Sequence, residues 1–151
     1  RPDALRRGIE LLFFAYRDFT DEADTILSEI GLGRAHHRVI YFVGRHPRIT
    51  VSDLLGILRI TKQSLSRVLS HLIQEGYVEQ QMGTKDKRQR HLLLTAKGQD
   101  LEARLTDMQC NRFAKAYSQS GAGDVVGFEQ VLTALLDRQS ADELKQKEDT
   151  Y

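Results

Sequence analysis

Lys62, Gln63, Ser64, Ser66, Arg67 and Ser70 crowd one short stretch of the chain, and their chemistry is that of reading nucleic-acid bases. Gln and Arg side chains offer paired hydrogen bonds that match adenine and guanine edges. Ser bonds to bases or phosphates, and Lys neutralises phosphate. The interleaved Leu65, Val68, Leu69, Leu72 and Ile73 fall at i, i+3, i+4, i+7 and i+8. A helix here therefore buries one face and turns the polar set outward. A second cluster, Lys85, Lys87, Arg88 and Arg90, sits in and beside a polar loop at residues 83–89. A flexible basic tip of that kind suits the narrow, electronegative minor groove.

The charge distribution points the same way. The 151 residues carry 22 Lys and Arg against 21 Asp and Glu, a formal charge of only +1. Residues 34–98, however, hold twelve basic and four acidic side chains and all five histidines, so the remainder of the chain is acidic. A basic middle between acidic ends reads as a polyanion-binding module on a scaffold that does not itself meet the polyanion. Catalytic patterns are missing: no P-loop, no H-E-x-x-H and no G-x-S-x-G occurs, so neither an enzyme nor a cofactor is expected. Gly121, Gly123 and Gly127 have the wrong spacing for a dinucleotide fingerprint and read as an interhelix turn. His36 and His37 are adjacent, so on a helix they point about 100° apart and cannot chelate one metal as an i, i+4 pair does; no metal site is expected. The single Cys110 excludes an intramolecular disulfide framework and fits a reducing cytoplasm. It reads either as a small packing residue between Met108 and Phe113, or as a redox-active thiolate near Arg112 and Lys115. No apolar run approaches the roughly 20 residues a bilayer span needs, and residues 1–10 carry charge throughout, unlike a secretory signal.

These groups need elements to hold them. Residues 1–30 repeat apolar side chains at helical spacing, a long helix ended by Gly31. A second helix is expected over residues 34–44, with Gly33 as N-cap and Pro47 beyond its end. Thr50 and Asp53 then have capping-box spacing before Val51, Leu54, Leu55 and Leu58. A turn at Arg59 and Ile60 leads to Thr61, which caps the polar-faced helix, and Gly76 closes it. Strands over residues 77–82 and 90–94 flank the basic loop as an antiparallel hairpin. Thr95 starts a long helix with Leu101, Leu105, Met108 and Phe113 on one face. Asp124 starts a last one, and the charged residues 140–151 are expected to fray.

Two short helices joined by a tight turn, followed by a basic hairpin, make a winged helix-turn-helix. At these residues the chain resembles the MarR family of bacterial transcription regulators. The likeness is most specific over residues 49–78, in Asp86 and Arg88 of the family's D-x-R wing, and in Leu94, Thr95 and Gly98 of its L-T-x-x-G helix start. Gly33 stands where the family usually has Ser or Thr. The resemblance implies a mainly α fold with a small β-hairpin, in which a winged domain is flanked by long dimerisation helices. It gives Arg88 to the minor groove and makes Asp86 the residue that shapes the wing. It implies a homodimer held by the first and last helices through Leu5, Ile9, Leu12, Val125, Phe128, Leu132 and Leu135. It also implies an effector crevice, for which Phe13, Tyr16, His36, His37 and Tyr41 are the candidates; the alternative is that these aromatics are plain core. The expected division is a dimerisation helix at 1–31, a DNA-binding domain at 32–98 (helix-turn-helix 50–76, wing 77–94), and dimerisation helices and tail at 99–151. The expected function is a cytoplasmic, homodimeric regulator, a repressor by preference, bound to a pseudo-palindrome in double-stranded DNA and responsive to a small molecule. The competing reading is a winged-helix adaptor that binds another protein.

Overall fold

The computed structural model describes residues 1–148. Seven helices and three strands follow in the order α1 (Pro2–Glu29), α2 (Arg34–Arg45), β1 (Ile49–Thr50), α3 (Val51–Leu58), α4 (Lys62–Gln74), β2 (Val78–Met82), β3 (Arg90–Leu94), α5 (Ala96–Ser118), α6 (Ala122–Leu135) and α7 (Arg138–Glu148). Among the described residues no helix is long and apolar enough to cross a membrane.

Residues 1–109 form one compact unit. Its core gathers Leu27 of α1, Val39 and Ile40 of α2, Leu54 of α3, Leu65 and Leu72 of α4, Val78 and Leu92 of the sheet, and Leu105 of α5, all fully or almost fully buried. Each comes from the apolar stripe of its element, and their removal from water is the main driving force holding the unit together. Of α1, only Thr20, Ala23 and Leu27 are buried. The N-terminal half of that helix carries its apolar residues into solvent.

The sheet has the order β1-β3-β2, antiparallel throughout. The sequence reading contained the hairpin but not β1. Thr50 caps α3 and also pairs with His91, while the Arg48 N–H donates to the Leu92 carbonyl. A two-residue strand has too few positions to show alternation, so no periodic signal exists for it. Two non-glycine residues adopt left-handed backbone, Arg48 (φ 70°) and Arg59 (φ 53°). They bracket α3, and Arg59 forms its left-handed C-cap, a place where glycine is usual.

Residues 110–151 form a second unit, within which Phe113, Tyr117 and Phe128 cluster with ring centroids 5.6–6.3 Å apart. Three expectations change here. The helix α6 begins at Ala122, not at Asp124: the Gly121 N–H donates to Asp124 Oδ2 at 3.0 Å, so Asp124 sits in the first turn as the capping partner. Cys110 is exposed, not packed, because α5 turns that position away from Leu101 and Leu105. Residues 138–148 form α7 where fraying was expected; residues 149–151 of that tail lie outside the described residues.

Candidate nucleic-acid interface

Local capping sets where α4 begins. The Thr61 hydroxyl oxygen accepts from the Ser64 N–H at 3.1 Å and also donates to the Ser64 hydroxyl at 2.8 Å. One of the amide groups that a helix start leaves unpaired is satisfied in this way. Thr50 does the same for α3, accepting from the Asp53 N–H at 3.1 Å. On α4, Leu65, Val68, Leu69 and Leu72 are buried, whereas Lys62, Gln63, Ser64, Ser66, Arg67 and Ser70 are exposed. Ser64 is nonetheless partly committed, since its hydroxyl belongs to the cap.

Beside this polar face runs an open groove of about 440 Å³. Lys62, Gln63, Ser66 and Ser70 of α4 form one side, Gln80 of β2 the other, and Leu69 and Ile73 contribute apolar surface. Gln80 was not among the sequence candidates. Its strand position opposite Leu92 turns it toward the helices, and that register becomes visible only once β2 and β3 are paired.

The wing tip is organised by Asp86, Gly83 and Arg90. Asp86 Oδ1 accepts from the Arg88 N–H at 2.9 Å and lies 3.5 Å from Arg88 Nε, which leaves the Arg88 side chain 93% exposed. Gly83 and Gln89 close the hairpin, and a Cβ at Gly83 would run into the Asp86 carbonyl oxygen. Arg90 behaves differently from its neighbours. Its guanidinium donates to the Lys87 carbonyl at 2.8 Å and the Gln89 carbonyl at 3.3 Å, so it braces the loop from below. Lys85, Lys87 and Arg88 are the cations the loop presents.

The base of the wing is tied to the end of α4 through the L-T-x-x-G stretch. Thr95 Oγ1 donates to the Gly76 carbonyl at 2.5 Å and accepts from the Gly98 N–H at 3.1 Å. Lys97 Nζ donates to the Glu75 carbonyl at 2.7 Å and lies 4.3 Å from the centre of the Tyr77 ring. Gly98 is where α5 meets the Tyr77 backbone, and any side chain there would strike the Tyr77 carbonyl oxygen. Gly76 itself has φ +81°, as a left-handed helix end requires.

The five crevice candidates are divided among different surroundings. Phe13 is exposed and packs edge-on against Phe14. The Tyr16 hydroxyl accepts from Arg38 Nη2 at 3.1 Å, and Tyr41 meets Phe42 edge-on. Burial pushes the His37 imidazole below its ordinary pKa, against an opposing pull from Asp24 and Glu102. His36 turns to α4: its Nε2 is 3.0 Å from His71 Nδ1, and its Nδ1 accepts from the Gly33 N–H at 3.0 Å. Because that amide occupies Nδ1, a neutral His36 carries its proton on Nε2, which leaves no lone pair there for a metal. Among the described residues no group of three or more His, Cys, Asp or Glu could hold a metal ion.

A model of the MarR family matches residues 30–89. The HTH-type transcriptional regulator PetP of Rhodobacter capsulatus is 51% identical over 135 residues, covering 89% of this chain and 81% of that protein. Among solved structures, Streptococcus pneumoniae FabT in complex with DNA superposes with a TM-score of 0.80 at 21% identity, over 93% of this chain and 99% of that one. NadR in complex with 4-hydroxyphenylacetate gives a TM-score of 0.69 at 22% identity, over 82% of this chain and 88% of that one. Both structures share the fold of this chain.

Proposed function

The chain belongs to the MarR family, and from that membership we propose that it is a DNA-binding transcriptional regulator whose α4 enters the major groove and whose wing reaches the minor groove. The observation that carries this reading is the exposed polar face of α4 beside the groove, set directly opposite a stripe of buried leucines. Gln63, Ser66 and Arg67 then read bases, and Lys62 and Ser64 hold phosphate and helix start. Lys85, Lys87 and Arg88 follow the wing into the minor groove, while Asp86 and Arg90 keep the loop in shape. The winged region, residues 32–98, is the DNA-binding domain, and residues 1–31 and 99–151 serve dimerisation. Two copies related by a two-fold axis offer recognition helices roughly 34–36 Å apart, which selects a pseudo-palindrome. The reading extends to a cytoplasmic repressor, with no catalytic activity, whose affinity a small organic molecule lowers; NadR is a fold relative that holds such a molecule. An adaptor role is not favoured, since the α4 face is polar and the wing basic, where a protein-docking surface would expose apolar side chains.

Selection of bound duplexes from a randomised library tests this, followed by a salt titration on the recovered sequence. A palindrome is expected, with log K falling steeply and linearly against log salt because many phosphate counterions are released. A flat salt profile would remove DNA as the ligand.

A further inference from the structure

His36 and His71 lie outside the polar face of α4 and outside the wing, yet they join the recognition helix to the helix packed against it. The Gly33 N–H, at the start of α2, donates to His36 Nδ1 at 3.0 Å. An amide can only donate, so that nitrogen holds a lone pair and the neutral ring keeps its proton on Nε2. Nε2 is 3.0 Å from His71 Nδ1, which must then accept. The direction of every bond is therefore fixed, from the N-terminus of α2 through two imidazoles to the last turn of α4. We propose that this chain is a proton-sensitive strut, which positions α4 for DNA while both histidines are neutral and releases it on acidification. The inference rests on reading α4 as the DNA-recognition helix.

A proton has two places to enter, and each breaks the chain. On His36 Nδ1 it faces the Gly33 N–H, and α2 loses its N-terminal partner. On His71 Nδ1 it faces His36 Nε2–H, and relief requires His36 to move its own proton to Nδ1, which again sacrifices the Gly33 bond. With both rings charged, two cations stand with centroids 4.9 Å apart. The helix ends divide the roles. His36 lies in the first turn of α2, where the positive end of the helix opposes a cation, whereas His71 lies in the last turn of α4, where the negative end favours one. A proton on either ring therefore reaches the α2 cap through His36, whose Nδ1 holds the Gly33 N–H.

The surrounding charges leave this logic intact. From α1, Asp24 is bonded to Arg34 at 2.8 Å, and from α5, Glu102 acts on His37 along with Asp24. On α2, Arg38 reaches Tyr16. The only charged side chain of α3 is Asp53, in its first turn. Of β3, His91 donates to the Arg48 carbonyl at 2.7 Å, and Arg90 is engaged with the wing loop. On α4, Arg67 is exposed, and Glu75 follows His71 by one turn. Burial holds the His36 pKa below the ordinary imidazole value, and the neighbouring His71 lowers it further.

The test is a pH series of fluorescence anisotropy at constant ionic strength, using a duplex selected by the wild-type protein at about pH 8, well above the imidazole range. The wild type should lose affinity at least about fivefold by about pH 5.5, the low end of ordinary coupling between a switch and a binding site. Asn at position 71 can accept from His36 Nε2–H but cannot be protonated. His71→Asn should therefore match the wild type at high pH and hold its affinity within about twofold on acidification. His36→Gln, which retains a capping acceptor for Gly33 but does not titrate, should flatten the profile as well. Nitrogen-15 shifts of the two imidazoles in the free protein read the tautomers directly, with His36 expected to carry its proton on Nε2 at neutral pH. Parallel loss of affinity in wild type and His71→Asn, or a His36 proton on Nδ1, overturns the strut. No duplex binding by the wild type at high pH would instead bring down the DNA reading, and the strut with it.

Discussion

Arg88 and Gln63 occupy different chemical positions, and their substitutions should separate two kinds of contact. Arg88 is held by its backbone to Asp86 while its guanidinium stands in solvent. Arg88→Ala should weaken binding across all duplexes and reduce the salt slope by about one. Gln63 lines the groove on the α4 side, so Gln63→Ala should cost about 1–3 kcal/mol on the preferred duplex and little on others. Gel shifts over a panel of duplexes measure both. Gly98 tests the scaffold rather than the interface. A methyl there collides with the Tyr77 carbonyl, and relief must come from shifting α5 against the wing base. Gly98→Ala should lower stability by about 1–3 kcal/mol, the usual cost of overpacking, as read from urea midpoints. Of these residues, Gln63, Arg88 and Gly98 were legible as types at motif positions. Gln80 was not, and neither was the inward bracing by Arg90, because both depend on where a side chain goes after its strand has paired.

The helix α4 shows how much of an element is written locally. Its cap at Thr61, its buried stripe and its glycine end all follow from spacing, and the structure places the helix over Lys62–Gln74 as that spacing requires. The cap is worth a direct measurement: Thr61→Ala should destabilise the fold by about 1 kcal/mol, and it also frees the Ser64 hydroxyl, which Thr61 now binds. The other end of α4 is fixed from outside, by Thr95 on the Gly76 carbonyl and Lys97 on the Glu75 carbonyl. This is the physical content of the L-T-x-x-G stretch, which joins the proposed recognition helix to the helix leading away from the wing. The α6 helix shows a limit of local reading. The spacing of Gly121 and Gly123 reads as a break that puts its start at Asp124, but a helix tolerates one glycine in its first turn when an acidic side chain caps from N3.

Across the chain, apolar residues separate into those the single chain buries and those it leaves exposed. Leu5 and Ile9 of α1 are 72% and 69% exposed, and Phe128, Val131 and Leu135 of α6 are open as well. Exposed runs of large apolar side chains, on α1 and separately on α6, support the dimerisation role proposed for each helix. Ile9→Glu should shift the protein toward monomer in sedimentation experiments and weaken binding to a full palindrome far more than to a half-site, because the second recognition helix is no longer tethered. The near-zero net charge conceals the basic middle that the DNA reading requires, so its distribution along the chain, not its sum, is informative. Periodicity, caps and charge segregation are properties of neighbouring residues, and these were enough to establish the winged helix-turn-helix, its polar face and its basic loop. The strand β1, the Gln80 side of the groove and the pairing of His36 with His71 arise between segments far apart in the chain. They are fixed by which surfaces pack together, and no local pattern of residue types encodes that choice.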